Sequence, residues 1–208
     1  MLSLFIDTST ETKIFAILNK EGIISSCSYP ALSNTMDESL FCWLQESTKK
    51  HKITLSDFTS IAVGYGPGPS FTGIRTGVAF ATSLAYAYSL PLIGLCSLEL
   101  YKPIHNLNIF YNISNARGGE LYYVESKKNI DSYEFTTPKV MNIDSWQETI
   151  GKNSVPIISI QYEFFQEIID KKINPAIINW EYIIKKIFQK NTYLDPLFFT
   201  IPYFKNPR

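Results

Sequence analysis

The run Gly64-Tyr65-Gly66-Pro67-Gly68-Pro69-Ser70-Phe71-Thr72-Gly73-Ile74-Arg75 is where this sequence comes nearest to a chemical device. Glycines behind an apolar strand let a backbone approach an anion or a neighbouring segment closely, and Ser70 or Thr72 is placed to cap the exposed amides of a following helix. Phosphate binding is one reading. A P-loop, however, needs Lys-Ser/Thr straight after its last glycine, and here Gly73 is followed by Ile74-Arg75. The dinucleotide fingerprint fails too, because no acidic residue stands about twenty positions on after another strand. From the residues alone, a structural strand-to-helix loop is favoured.

Other chemistry-bearing residues are sparse. Asp7 ends the first apolar run beside Thr8 and Ser9, and its carboxylate suits either a metal or, as the favoured reading, the backbone amides of a hairpin. Arg117 and Glu120 flank a glycine pair and fit a turn salt bridge or a partner contact. His51 and His105 cannot form the one-turn His-x-x-x-His pair that places two imidazoles on one helix face. Neither histidine stands in a pairing context with Cys27, Cys42 or Cys96, so all three thiols read as packing groups rather than nucleophiles, zinc ligands or disulfide partners. That cysteine usage, and an apolar start too short and lacking the basic residues of a secretory signal, point to a reducing, cytoplasmic setting.

The totals set the frame. A chain of 208 residues with 45% hydrophobic content can bury a substantial core, and 19 Lys+Arg against 19 Asp+Glu give no electrostatic reason for unaided binding to RNA or an anionic membrane. The charge-free stretch from Arg75 to Glu99 is long enough to span a bilayer, but Pro91 and Gly94 split it into a helix and a short strand.

Residues 2–7, 13–19 and 22–29 read as three antiparallel strands. Thr35-Met36-Asp37-Glu38 has the form of a capping box and Lys49-Lys50 close the last turn, so a helix is expected over 35–50 with Met36, Leu40, Trp43, Leu44 and Ser47 on its core stripe and Phe41 off it. A strand at 61–64, a helix at 71–88 and a strand at 92–95 follow. In that helix Ile74, Gly77, Val78, Ala81, Leu84, Ala85 and Tyr88 share the core face, while Thr72, Thr76, Ala79, Ser83 and Tyr86, flanked by Phe80 and Ala87, form an opposite face without charge. Solvent-facing helix surfaces normally carry Lys and Glu, so this face suggests a second buried contact, internal or with a partner. After a junction at 102–106 the pattern repeats loosely: strands at 109–113, 121–125, 132–136 and 156–160, a helix at 143–150, and amphipathic helices at 161–171 and 176–190. The aromatic, proline-rich stretch 196–208 is expected to pack extended on the body.

Four motif runs together resemble the TsaB (YeaZ) family: Asp7-Thr8-Ser9-Thr10-Glu11; Ile61 to Arg75 with Gly66, Gly68, Ser70, Phe71, Thr72, Gly73 and Arg75; Pro91-Leu92-Ile93-Gly94 with Ser97-Leu98-Glu99; and Asn115-Ala116-Arg117-Gly118-Gly119-Glu120-Leu121-Tyr122. They cover about residues 2–125, and the closing Pro202-Tyr203-Phe204-Lys205 is similar to the family's terminal strand. The resemblance implies an α/β fold of two actin-like (ASKHA, ribonuclease H-like) lobes, each a mixed sheet flanked by helices, over residues 1–102 and a shortened, divergent 103–208.

It also implies a non-catalytic partner subunit in forming N6-threonylcarbamoyladenosine at position 37 of tRNA. The first lobe would pair through its helices, here Met36, Leu40 and Phe41 with Thr72, Thr76, Ala79, Phe80, Ser83 and Tyr86, either with itself or with the catalytic TsaD protein. The ATPase TsaE would share the complex, tRNA would be met only there, and ATP, ADP and metal would sit on partners or at a shared interface. Pro69 is an extra residue relative to the family's run, and Thr35-Met36-Asp37-Glu38-Ser39 lacks the family's histidine. Ser9 stands where actin-like enzymes place a phosphate-hairpin glycine. A nucleotide-using ATPase or kinase is the second hypothesis, and a peptidase, which finds no dyad, the third.

Overall fold

The computed structural model describes residues 1–30, 36–130, 132–150, 152–189 and 193–202, with backbone only at 29, 30 and 36–39. The chain forms two compact units: Met1–Gly66 with Ser70–Leu95 and Ile183–Ile201, and Pro67–Pro69 with Cys96–Tyr182 and Pro202–Arg208.

The first unit is built on a five-stranded sheet. Strands β1 (Leu2–Asp7), β2 (Thr12–Leu18) and β3 (Ile23–Pro30) form an antiparallel meander. Helix α1 (Met36–His51) leads to β4 (Phe58–Gly64), and α2 (Phe71–Ala87) to β5 (Leu92–Leu95). The order β3-β2-β1-β4-β5 makes β1, β4 and β5 a parallel set. Parallel strands covered on both faces are apolar throughout rather than alternating, which is why Phe58-Thr59-Ser60-Ile61-Ala62-Val63-Gly64 is buried everywhere but at Thr59. Helix α1 packs Leu40, Trp43 and Leu44 into the core, its Ser47 hydroxyl 3.0 Å from that of Ser25 on β3. Phe41 stands out in solvent, as the periodicity required.

The second unit carries β6 (Tyr101–Pro103), β7 (Ile109–Arg117), β8 (Glu120–Lys128), β9 (Tyr133–Phe135), β10 (Lys139–Asn142), α3 (Ile143–Thr149), β11 (Ile157–Ser159), α4 (Tyr162–Ile168), β12 (Ile173–Ile178) and α5 (Trp180–Gln189), whose last residues from Ile183 belong to the first unit. Its sheet runs β10-β8-β7-β11-β12-β6, with β9 beside β8. Five of these strands repeat the first unit's plan: an antiparallel pair beside β7, a helix, parallel β11, a helix, parallel β12. The loose repeat in the sequence is thus a repeated topology, and the protein has an α/β actin-like fold of mixed sheets flanked by helices.

Three expectations are corrected. Residues 176–178 are strand, not the start of a helix: Ala176, Ile177 and Ile178 pair antiparallel with Pro103, Lys102 and Tyr101. Pro175 and the β-branched isoleucines favour extended backbone, and the ladder to β6 and β11 overrode the helical spacing. Tyr88 is 42% exposed because the helix ends at Ala87 and Tyr88 is its C-cap. Cys42 is exposed beside Phe41, not a packing thiol. The Thr35–Glu38 capping box, the Met36 side chain and Tyr203-Phe204-Lys205 lie outside the described residues.

In the second unit the core centres on Trp146, fully buried with ring centroids 6.1 Å from Tyr111 and 6.5 Å from Tyr123. Trp146→Ala is expected to destabilise this unit by about 3–5 kcal/mol, read as a lowered midpoint in urea unfolding followed by circular dichroism.

Candidate functional site

The β1–β2 hairpin and the first turns of α2 meet in the first unit. Asp7, Thr8 and Ser9 are all buried there. Asp7 Oδ1 accepts the Ser9 amide at 2.9 Å, so the carboxylate caps the hairpin. The Ser70 amide donates to the Ser9 carbonyl at 3.0 Å, and Thr8 Oγ1 donates to the Gly73 carbonyl at 2.6 Å. Ser70, rather than Thr72, is the N-cap of α2, its Oγ accepting from Gly73 N at 3.2 Å.

This contact leaves no room for side chains on two helical residues. A Cβ on Gly73 would lie 2.2 Å from the Thr8 carbonyl oxygen and 2.5 Å from Ser70 Oγ; one on Gly77 would lie 2.1 Å from Thr8 Oγ1. The glycines therefore serve close helix-to-hairpin approach. Lys13 completes the arrangement from the start of β2, where it is 6% exposed. Its ammonium donates to Thr10 O at 2.7 Å, Thr8 O at 3.1 Å and Ser70 Oγ at 3.4 Å. The hairpin thus turns carbonyl oxygens, not amides, toward the helix start, and those carbonyls are held by an internal cation. This geometry does not fit a nucleotide phosphate, which would need free amides and open space at that point.

Lys13 was not singled out by its sequence. The signal was a lone lysine opening an otherwise wholly apolar run, Ile14-Phe15-Ala16-Ile17-Leu18, that is buried on both faces.

Beyond this contact α2 has two unlike faces. Ile74, Val78, Ala81 and Ala85 are buried, whereas Thr72, Ala79, Ser83 and Tyr86 are exposed and Thr76 and Phe80 half-buried. Phe80 meets Phe41 of α1 edge-on at 5.1 Å, and Phe71, 45% exposed, lies beneath the Arg75 guanidinium. Leu40, by contrast, is 5% exposed in the core. Phe41 of α1 thus meets Phe80 at one flank of α2, while Thr72, Ala79, Ser83 and Tyr86 stand on its exposed side.

In the second unit, Gly118 and Gly119 form the two-residue turn of the β7–β8 hairpin, with φ 63° and 75°, values that suit glycine. Arg117, itself at φ 59°, pairs in register with Glu120 and donates from Nε to the carbonyl of Pro69 at 2.8 Å. Arg117 also lines a solvent-open cavity of about 490 Å3 with Asn115, Asn142, Asp144, Phe164 and Ile168. At the topological counterpart of the first unit's contact, Gln161 Oε1 accepts from Ser114 Oγ at 3.2 Å and from the Asn115 amide at 3.1 Å. Among the described residues no group of three or more His, Cys, Asp or Glu could hold a metal ion, and no helix is long and apolar enough to cross a membrane.

A family model described as "TsaD: tRNA N6-adenosine threonylcarbamoyltransferase" matches residues 31–150, more than half of the chain. An uncharacterized protein of Mycobacterium tuberculosis is 45% identical over 71 residues, 34% of this chain and 33% of its own length. The tRNA threonylcarbamoyladenosine biosynthesis protein TsaB of Escherichia coli is 29% identical over 134 residues, 62% of this chain and 56% of its own length. The chain thus spans about a third of the first relative and little more than half of the second. The solved structure of YeaZ from Pseudomonas aeruginosa superposes with a TM-score of 0.75 at 16% identity, over 95% of this chain and 96% of that one, and shares its fold.

Two outcomes follow from the hairpin contact. Gly77→Ala gains roughly 1 kcal/mol of helix propensity but must displace Thr8, an overpacking cost of about 1–3 kcal/mol, so a lowered melting temperature is expected. For Lys13, burial lowers the pKa below its ordinary 10.5, with Asp7 and Glu11 opposing the shift. Between that lowered value and 10.5 the unfolded chain binds more protons than the folded one, so the stability contributed by Lys13 rises with pH across the window. Lys13→Met has no proton to lose, and urea midpoints should show the parent gaining on the variant as pH approaches 10.5; a constant difference contradicts this.

Proposed function

The chain belongs to the family described by the TsaD tRNA N6-adenosine threonylcarbamoyltransferase model, in its TsaB (YeaZ) branch, and we propose that it acts there as a non-catalytic subunit. Its task is the formation of N6-threonylcarbamoyladenosine at position 37 of tRNAs reading codons that start with A. It binds a TsaD-type catalytic protein through α1 and α2, in a complex with TsaE, and meets tRNA only in that complex. When alone it pairs with a second copy through the same face. Nucleotide and metal reside on the partners or at a shared interface.

The observation that carries this reading is the exposed, aromatic-rimmed outer face of α2, whose one charged side chain is Arg75 near its N-terminal end. Phe41, Phe71, Phe80 and Tyr86 supply the large rings typical of interface anchors, and Thr72, Thr76, Ala79 and Ser83 supply a flat, small-residue strip on which another helix can lie closely. The face is external to the unit's own core, so a partner rather than internal packing is what would cover it. A nucleotide-using enzyme is less well served, because Lys13 and Ser70 fill the place where the hairpin would meet a phosphate.

The test is Ser83→Arg. Ser83 is exposed, so the substitution should change folding stability by roughly 0.5 kcal/mol or less and leave the circular dichroism spectrum intact. Placed in a helix-packing interface, the same arginine buries an unpaired charge and should abolish association with TsaD. A folded Ser83→Arg protein that binds TsaD as tightly as the parent removes the interface. Measurable threonylcarbamoyl transfer by the pure chain alone would overturn the accessory role.

A further inference from the structure

We propose that Lys13 is a positioning residue for the partner-facing surface: it sets the seat of α2 rather than stabilising the fold. The inference rests on the partner reading above. Lys13 is buried, and the three acceptors of its ammonium, Thr8 O, Thr10 O and Ser70 Oγ, are all neutral. The ammonium lies next to the first turn of α2, 2.8 Å from where a Cβ on Gly73 would stand. That is the positive end of the helix dipole, which disfavours a cation. A charge desolvated there, with the Asp7 and Glu11 carboxylates attracting it but neither in contact, is a poor source of stability.

What the lysine does accomplish is geometric. One ammonium holds two carbonyls of the hairpin and reaches across to Ser70, the N-cap of the helix. Between those anchors lies Thr8, on which Gly73 and Gly77 rest with no space to spare. Shifting Thr8 or Ser70 therefore shifts the helix along or about its axis. Thr72 and Thr76 protrude from these same turns, and Ala79 and Ser83 from the turns that continue them, so the strip offered to a partner moves with the seat. The prediction is a split: loss of affinity without loss of stability, which a merely structural lysine would not give.

The experiment compares Lys13→Met with the parent, full chain in both cases, by thermal unfolding, by amide hydrogen exchange over Thr72–Gly77, and by titration against TsaD from the same cell. The expected result is a melting temperature at or above the parent's at pH 7, faster exchange over Thr72–Gly77, and a Kd weakened about tenfold or more, where each factor of ten is one step of roughly 1.4 kcal/mol. A variant that fails to fold, or melts well below the parent, overturns the inference because the lysine is then a stabilising residue. A folded variant with the parent's affinity also overturns it, while leaving the partner reading intact. A parent that does not bind TsaD overturns the partner reading and this inference with it.

Discussion

Helix α2 lies directly on the β1–β2 hairpin because two of its residues have no side chain to keep it off. Gly73 and Gly77 stand one turn apart and both press on Thr8, whose hydroxyl donates back to the Gly73 carbonyl. Everything distinctive about the first unit follows from that approach. The hairpin presents carbonyl oxygens at the helix start, and the Lys13 ammonium holds two of them. With the hairpin closed on the helix, the inner face of α2 is spent on the sheet and the hairpin, and its outer face beyond Arg75 is left without charge.

The second unit repeats the plan but solves the same junction differently. Where the first unit uses an ammonium between hairpin carbonyls and a serine cap, the second uses the neutral amide of Gln161 to receive Ser114 and Asn115. A neutral acceptor avoids the desolvation cost of a buried charge. The contrast makes Lys13 a choice rather than a requirement of the topology. The repeated topology also accounts for a fold shared with YeaZ at low sequence identity, since strand order and helix placement depend on apolar patterning that many sequences satisfy.

Much of the first unit was legible in its sequence. The 3.6-residue spacing of Ile74, Val78, Ala81 and Ala85 fixed the inner face of α2, and the absence of Lys and Glu opposite them marked the outer one. Phe41 was likewise readable as an off-stripe aromatic. What stayed hidden was contact between residues far apart in the chain. Lysine at a strand start reads as surface, and only the pairing of β2 with both β1 and β3 shows that position to be enclosed. The press of Gly77 on Thr8 links positions in different elements and has no local signature. Strand β12 was obscured because Ala176, Ile177 and Ile178 precede a true helix, so the amphipathic spacing ran on backwards past Asn179. The bridge of Leu194 to Leu92, by which the segment after α5 covers the edge of β5, was equally silent.

The central claim is that the chain acts by offering the outer face of α2 to a catalytic partner. Amide hydrogen exchange on the chain alone and mixed with excess TsaD addresses it residue by residue. Protection is expected in α1 and along α2 from Thr72 to Tyr86, with the second unit's sheet unchanged. Tight complex formation with α2 exchanging as in the free chain, and protection appearing elsewhere, would contradict the account.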